Sequence, residues 1–259
     1  MRALFIGDIF GEPGRRIILQ ELDKIITTHA VDVVLGNGEN VAGGFGITPD
    51  LASDLFDLGF AALTLGNHAW DKKEIIDFIK KEPRLIRPAN YPQGVPGMGT
   101  HVIDLPSGEK LGVVQIMGRA FMPTVDCPFT AAKREIAQIS KGVKAIIVDM
   151  HAETTSEKMA MGHFLDGEVT AVVGTHTHVQ TADEQILPKG TAYITDIGMT
   201  GPRNSVIGVK KELAIEKFLT QMPRRFEAAS GPAVLSAVLI DLDGTSGKAT
   251  SIQRMRILE

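Results

Sequence analysis

Eight side chains in this sequence are of types that hold a divalent metal or work beside one, and they fall in five short groups: Asp8; Glu39 and Asn40; Asn67 and His68; His151; and His176 with His178. Carboxylates, amide oxygens and imidazoles together suit borderline metals such as Mn, Fe, Co, Ni or Zn. The single cysteine, Cys127, lies in none of the groups, which argues against an iron–sulfur cluster or a Cys-rich zinc site. Seven or eight donors are too many for one tetrahedral ion. Two ions about 3.5–4 Å apart, sharing one carboxylate, would use them. Such a pair makes a local positive centre of the kind an anionic phosphate ester needs.

Taken singly, each group has an ordinary explanation. Asp8, before Gly11 and Pro13, could be a turn former or helix cap. Glu39-Asn40 and Gly66-Asn67-His68 sit among glycines and read equally well as turns. His151 alone reads as structural. His176-Thr177-His178 is the strongest pair, because two residues apart on extended chain face the same way. The conjunction carries more weight than any member: four of the seven histidines fall in these groups. His29, His101 and His163 have no such company. Gly7, Gly36, Gly38, Gly66 and Gly174 flank the candidates, where backbone must come close to a ligand or loops must simply turn.

The elements that would position these groups repeat one pattern: a short apolar strand, a polar loop, then an amphipathic helix. The spacing predicts strands at Ala3–Gly7, Val31–Leu35, Ala61–Leu65, Ala145–Val148 and Thr170–Val173, each ending just before a candidate group. In an open α/β sheet, ligands bind beyond the carboxyl ends of the strands; were these strands neighbours in one sheet, the groups would meet. Helices are expected over about Gly14–Thr28, from Thr48 with Pro49 at the first position, from a capping box at Asp71 and Glu74, and over Thr130–Ile139, Thr155–Phe164 and Val209–Gln221. Hairpins are expected at Val102–Leu105 with Leu111–Met117, and at Ala233–Asp241 with Ser251–Leu258 through the Asp243–Gly247 turn. The fold class is therefore α/β, layered, with mixed sheets. Residues 1–259 read as a single domain, with 83–129 as a small cap or interface subregion.

Composition bounds the rest. The chain of 259 residues is 44% apolar and 22% charged, ordinary for a globular protein with a sizeable core. Its net charge of −4 gives no general attraction for nucleic acid, and no basic stripe interleaved with aromatics appears. No run approaches the roughly 20 apolar residues of a membrane span. The N-terminal apolar run is short and interrupted by Asp8 and Glu12, unlike a signal peptide. A cytoplasmic protein without membrane partners is expected, with homo-oligomerisation left open.

The order Asp8, Gly38-Glu39-Asn40, Gly66-Asn67-His68, His151 and Gly174-Thr175-His176-Thr177-His178 resembles the calcineurin-like metallophosphoesterases. More closely it resembles their YmdB-type bacterial branch of 2′,3′-cyclic-nucleotide phosphodiesterases. The likeness runs over nearly the whole chain, including Phe5–Gly11 and Ile197–Pro202. Two departures from the broad superfamily are shared with that branch: Asp8-Ile9-Phe10 replaces an Asp-x-His opening, and Glu39 replaces a bridging Asp, with Asn40 filling the coordination gap.

The resemblance implies a metallophosphoesterase-like sandwich of mixed β-sheets flanked by helices. It implies two divalent or trivalent ions, Fe or Mn first, with Zn, Co or Ni tolerated. One would take Asp8, Glu39, Asn40 and His178; the other Glu39, Asn67, His151 and His176. A hydroxide bridging them would attack phosphorus in line, and His68 would protonate the leaving ribose oxygen. The expected substrates are cyclic nucleotides, 2′,3′-cyclic and also 3′,5′-cyclic, without a stable nucleic-acid complex. Two alternatives stand beside this: a phosphomonoesterase or nucleotidase on the same centre, and a regulatory RNA-binding metalloprotein with little turnover. Arg203 and Asn204, in the Gly201–Ser205 turn, and Arg119 offer polar groups to a substrate, though a solvated turn explains Arg203 and Asn204 equally well.

Overall fold

Alternating strands and amphipathic helices build two mixed sheets packed face to face with helices outside both, in a computed structural model that describes residues 1–259. The chain begins β1 (Arg2–Ile6), β2 (Asp8–Ile9), α1 (Gly11–His29), β3 (Val33–Asn37), α2 (Pro49–Asp57), β4 (Phe60–Thr64), α3 (Ile75–Phe78) and β5 (Leu85–Ile86). It continues β6 (Thr100–Asp104), β7 (Lys110–Met117), α4 (Pro128–Ile139), β8 (Ala145–His151), α5 (Thr155–Phe164), β9 (Ala171–Thr175), β10 (Gln185–Ile186) and β11 (Ala192–Ile194). It ends β12 (Met199–Pro202), α6 (Lys211–Thr220), β13 (Ala233–Leu242) and β14 (Ala249–Leu258). No helix is long and apolar enough to cross a membrane.

The first sheet has the order β2-β12-β13-β1-β3-β4-β5, with β14 on β13; the second has the order β10-β11-β9-β8-β7-β6. Strand alternation sorts side chains between layers. Along β1, Leu4 and Ile6 face α1 and pack with Ile17, Ile18 and Leu22. Ala3 and Phe5 face the other way, into a core shared between the sheets with Leu35, Val113, Ile147, Val173 and Val238. A third core lies under α4 and α5, built on Val114, Ile136, Val148 and Met161. Residues 83–129 supply β5 to the first sheet and the antiparallel pair β6–β7 to the second.

Several local expectations need correction. The candidate groups do not come from one sheet: Asp8, Glu39 and Asn67 follow strands of the first, whereas His151 and His176 end strands of the second. Two sheets packed with their parallel strands ending at the same edge bring those ends together across the sandwich. Helix α1 starts at Gly11, ahead of Pro13, because a proline in the first turn loses no intrahelical bond. The expected capping box at Asp71 does not form. Helix α3 is a single turn over Ile75–Phe78, and the Asp71 carboxylate is engaged by His68 Nδ1 at 2.8 Å.

Gly174 shows how tightly the second sheet closes beneath the site. A Cβ there would lie 1.7 Å from the Thr195 carbonyl oxygen, while its own carbonyl accepts from the Ile197 amide at 2.8 Å. Any side chain must push the 195–198 segment away. Gly174→Ala is expected to lower stability by about 1–3 kcal/mol or more, read as a fall in the denaturation midpoint; an unchanged midpoint would contradict the close approach.

Candidate metal and catalytic site

The ends of β1, β3, β4, β8 and β9 bring the candidate side chains together at one cleft of about 430 Å³, which Glu39, Asn40, His68, His176 and His178 line directly. Glu39 and His151 meet from opposite sheets, with Oε1 to Nε2 at 3.0 Å and neither side chain reached by solvent. His151 Nε2 is also 3.0 Å from Asn67 Oδ1 and 3.1 Å from His176 Nδ1. Glu39, His151 and His176 each offer a donor atom within 4.8 Å of the others. Beside them, Asn40 Nδ2 lies 3.2 Å from His178 Nε2, and His178 Nε2 lies 3.6 Å from Asp8 Oδ1. Asn40 would coordinate through oxygen only after a 180° turn of its amide, which changes no volume. The eight residues singled out in the sequence are thus brought together, with His68 at the cleft wall.

A buried scaffold that the sequence reading missed sets the histidine tautomers. Asp149, wholly buried in β8, accepts from the Thr175 hydroxyl at 2.7 Å and the Thr64 hydroxyl at 2.5 Å. With its proton committed to Asp149, Thr175 Oγ1 can only accept from His151 Nδ1–H, at 2.9 Å. The lone pair of His151 is therefore on Nε2, pointing at Glu39, Asn67 and His176. His176 turns its Nδ1 toward His151, and its Nε2 stands 3.2 Å from the Glu153 carboxylate on the cleft side. His178 Nδ1 donates to the Ile207 carbonyl at 2.8 Å, leaving Nε2 toward Asp8 and Asn40. A second hydrogen bond of the kind His151 and His178 make is the usual mark of a metal-facing histidine.

The two histidines after β9 do not alternate along a strand. Their backbones have positive φ, 95° at His176 and 66° at His178, and so does Ile207 at 48°. Such conformations cost of order 1–3 kcal/mol each and persist only where surroundings enforce them. Here the enforcement is Asp196. Its Oδ2 accepts from Lys158 Nζ at 2.6 Å, from the Thr177 amide at 3.1 Å and from the Thr177 hydroxyl at 2.7 Å. Thr177 is thereby pinned downward while its neighbours turn up into the cleft. Lys158 is 1% exposed, an unusual place for an ammonium, and Asp196 is fully buried.

The charge balance fits a cation. Converging lone pairs of Glu39, Asn67, His151 and His176 need a proton or a metal between them. Asp8 Oδ1 is buried with no hydrogen-bond partner, and burial raises its carboxyl above the usual range despite His178 and His151 nearby. Burial also raises Asp149, to about 6. Burial opposes charge on His151, yet Glu39 beside it holds the imidazole up at about 9. Burial likewise opposes charge on Glu39, and the His151 cation overrides it, holding the carboxyl at about 2. Burial, aided by His151, drives His176 down to about 3. A divalent cation among Glu39, Asn67, His151 and His176 would take the place of a proton on His151, and the unpartnered Asp8 Oδ1 beside His178 fits a cation of its own. Gly66 makes the room: a Cβ there would lie 2.3 Å from His151 Nε2.

His68 stands apart from the donor cluster. Its amide donates to Glu39 Oε2 at 2.9 Å, and its Nδ1 is tied to Asp71, which leaves Nε2 for the cleft. Phe45 meets the ring edge-on at 5.2 Å. Phe10, Ile207, Val209 and Phe226 complete the apolar walls.

Known proteins resemble this chain over nearly its whole length. The family model described as YmdB-like protein matches residues 4–255. A 2′,3′-cyclic-nucleotide 2′-phosphodiesterase of Bacillus subtilis (strain 168) is 49% identical over 257 residues, spanning 99% of this chain and 97% of the relative. Among solved structures, a hypothetical protein from Thermus thermophilus is similar at a TM-score of 0.94 and 43% identity, with 100% of both chains covered. A phosphatase from Mycoplasma pneumoniae is similar at 0.93 and 34% identity, with 100% of this chain and 93% of the other covered.

The buried Lys158–Asp196 pair gives a direct test of the scaffold. Lys158→Met leaves Asp196 buried without its cation, which typically costs about 3–5 kcal/mol. The variant is expected to unfold at lower denaturant; equal stability would remove the pair from its supporting role.

Proposed function

The chain belongs to the YmdB-like family, and on that premise we propose that it hydrolyses cyclic phosphodiesters, 2′,3′-cyclic nucleotides first and 3′,5′-cyclic nucleotides second, at a dinuclear metal centre. The observation that carries the reading is the meeting of Glu39, His151 and His176 beside the unpartnered, buried Asp8 Oδ1 on one cleft floor. Asp8, Glu39, Asn40 and His178 would hold one ion and Glu39, Asn67, His151 and His176 the other; the family resemblance implies Fe or Mn, while mixed imidazole and carboxylate donors accept Zn, Co or Ni as well. Bound metal would supply Lewis-acid charge for the phosphoryl oxygens and activate water for attack.

The chain's own groups do the rest. Glu39 ties the two donor clusters together, since its Oε1 faces His151 and accepts from Asn40 Nδ2, while its Oε2 accepts from the His68 amide. That amide bond sets His68 at a fixed height above the floor. Asp71 holds the Nδ1 proton of His68, so Nε2 is the atom that carries and delivers a proton to the departing ribose oxygen. Phe45 restricts the ring, and Phe10, Ile207 and Phe226 keep bulk water from the apolar side of the cleft. Asp71 is a positioning residue, acting through His68.

Two variants divide these roles. His68→Ala is expected to lower kcat on a 2′,3′-cyclic nucleotide by about 10²–10⁴-fold while elemental analysis still finds full metal. Loss of the metal together with activity would place His68 among the ligands instead. Asp8→Ala and His176→Ala are expected to lose bound metal; either one retaining wild-type metal content would sink the ligand assignment. A panel of 2′,3′-cyclic, 3′,5′-cyclic and monoester substrates ranks the chemistry, and a monoester preference would overturn the diesterase reading.

A further inference from the structure

A second cavity, of about 540 Å³, opens directly behind His178, which lines both it and the cleft, as does Ile207. Arg203, Arg254 and Arg256 converge on it from the loop after β12 and from β14, and no carboxylate lines it. On a chain with 31 acidic and 27 basic residues, three guanidiniums meeting without an acid among them is not the average surface. Arg254 is partly engaged, by Glu184 at 3.4 Å. Arg203 and Arg256 have no ion-pair partner, and their side chains are exposed to the cavity mouth. Ser236, whose β13 position pairs with Arg256 on β14, adds a hydroxyl at the wall.

Arginines of this kind match phosphate: each guanidinium offers several donors in a planar fork, and two or three together neutralise one or two phosphate charges. The cavity's position names which phosphate. His178 and Ile207 line both spaces, so a substrate held over the Asp8–His178 floor has this cavity at its edge. Deepening the phosphodiesterase reading, on which it rests, we propose that Arg203 and Arg256, with Arg254 beside them, form a subsite for a second phosphate, carried on the 5′ oxygen of the ribose whose cyclic phosphate is cleaved. Two substrates carry that group: an oligoribonucleotide ending in a 2′,3′-cyclic phosphate, through its last internal linkage, and a 5′-phosphorylated cyclic mononucleotide. Contacts to phosphate position a strand without reading its sequence, so no base preference is expected from this cavity. Three arginines on an otherwise acidic chain hold a substrate end transiently, which agrees with the expected lack of a stable nucleic-acid complex.

The test compares wild type with the double variant Arg203→Ala/Arg256→Ala, both metal-loaded and matched for thermal midpoint and metal content. Three substrates are used: a 2′,3′-cyclic mononucleotide with a free 5′ hydroxyl, the same compound 5′-phosphorylated, and a dinucleotide with a 2′,3′-cyclic end. Wild type is expected to show kcat/KM at least ten-fold higher on one or both phosphate-bearing substrates, mainly through KM. The double variant should lose that gain while changing less than three-fold on the free mononucleotide. A gain on the dinucleotide alone assigns RNA ends; a gain on the 5′-phosphorylated compound alone assigns nucleotides. The gain should also shrink as salt is raised, because exposed charge pairs are screened. Equal kcat/KM on all three substrates in wild type, or equal losses on all three in the variant, overturns the subsite. Fluorescence anisotropy of a labelled tetraribonucleotide with a 3′-phosphate gives a reading independent of turnover. Tenfold weaker binding by the variant supports the subsite, and unchanged binding overturns it. If no cyclic substrate is hydrolysed, the activity reading fails while the anisotropy still decides the arginines' role.

Discussion

The contact between Glu39 and His151 is the constraint on which the rest of the structure depends. It joins the two sheets at their carboxyl ends, shut away between layers, with a carboxylate and an imidazole at 3.0 Å. A charged group so placed is tolerable only when paired and hydrogen-bonded. The surroundings answer that need in turn: Asp149, Thr175 and Thr64 hold the imidazole from behind, the His68 amide takes the second Glu39 oxygen, and Asn67 closes the flank. The apolar layer below, with Phe5, Leu35, Ile147 and Val173, fixes how far apart the strand ends stand.

Much of this was legible in the sequence because strand ends carry a double signal. An apolar run names the strand, and the polar residue closing it names the site. Asp8, Glu39, His151 and His176 all announced themselves that way. The sheet partition was not legible. Each strand's apolar pattern says that it is buried but not against which neighbour, and pairings such as Ala3 with Ile240 join distant stretches of chain. Asp149 did leave a mark, being an acid inside the apolar run Ile146–Met150, yet without Thr64 and Thr175 in view it had no meaning. Lys158 left none, because a lysine on a helix is normally solvated. Asp71 was misread because the residue spacing of a capping box is also that of a side-chain contact with His68; the tertiary partner won.

The left-handed backbones at His176 and His178 answer to the same forces. An extended strand end would present two imidazoles on one side at one height. The turn instead sends them to different neighbours, His176 toward His151 and His178 toward Asp8. The strain is held by a buried ion pair beneath Thr177, so a stabilising element and a functional element share one loop. Asp196 also accepts from the Gly198 amide, which links the loop to the β12 segment that leads to Arg203.

The strand order of the first sheet has a consequence for how the chain acquires its site during synthesis. Strand β13 lies between β1 and β12, with Arg2 opposite Asp241. Strand β1 is made early and waits for a strand more than two hundred residues later before its second edge is covered. Pairings of such sequence separation are late and slow events in folding. Until β13 inserts, β1 exposes an open edge and Asp8 hangs from a half-built sheet. A chain stopped short of β13 therefore leaves the strand that leads to Asp8 without its antiparallel neighbour.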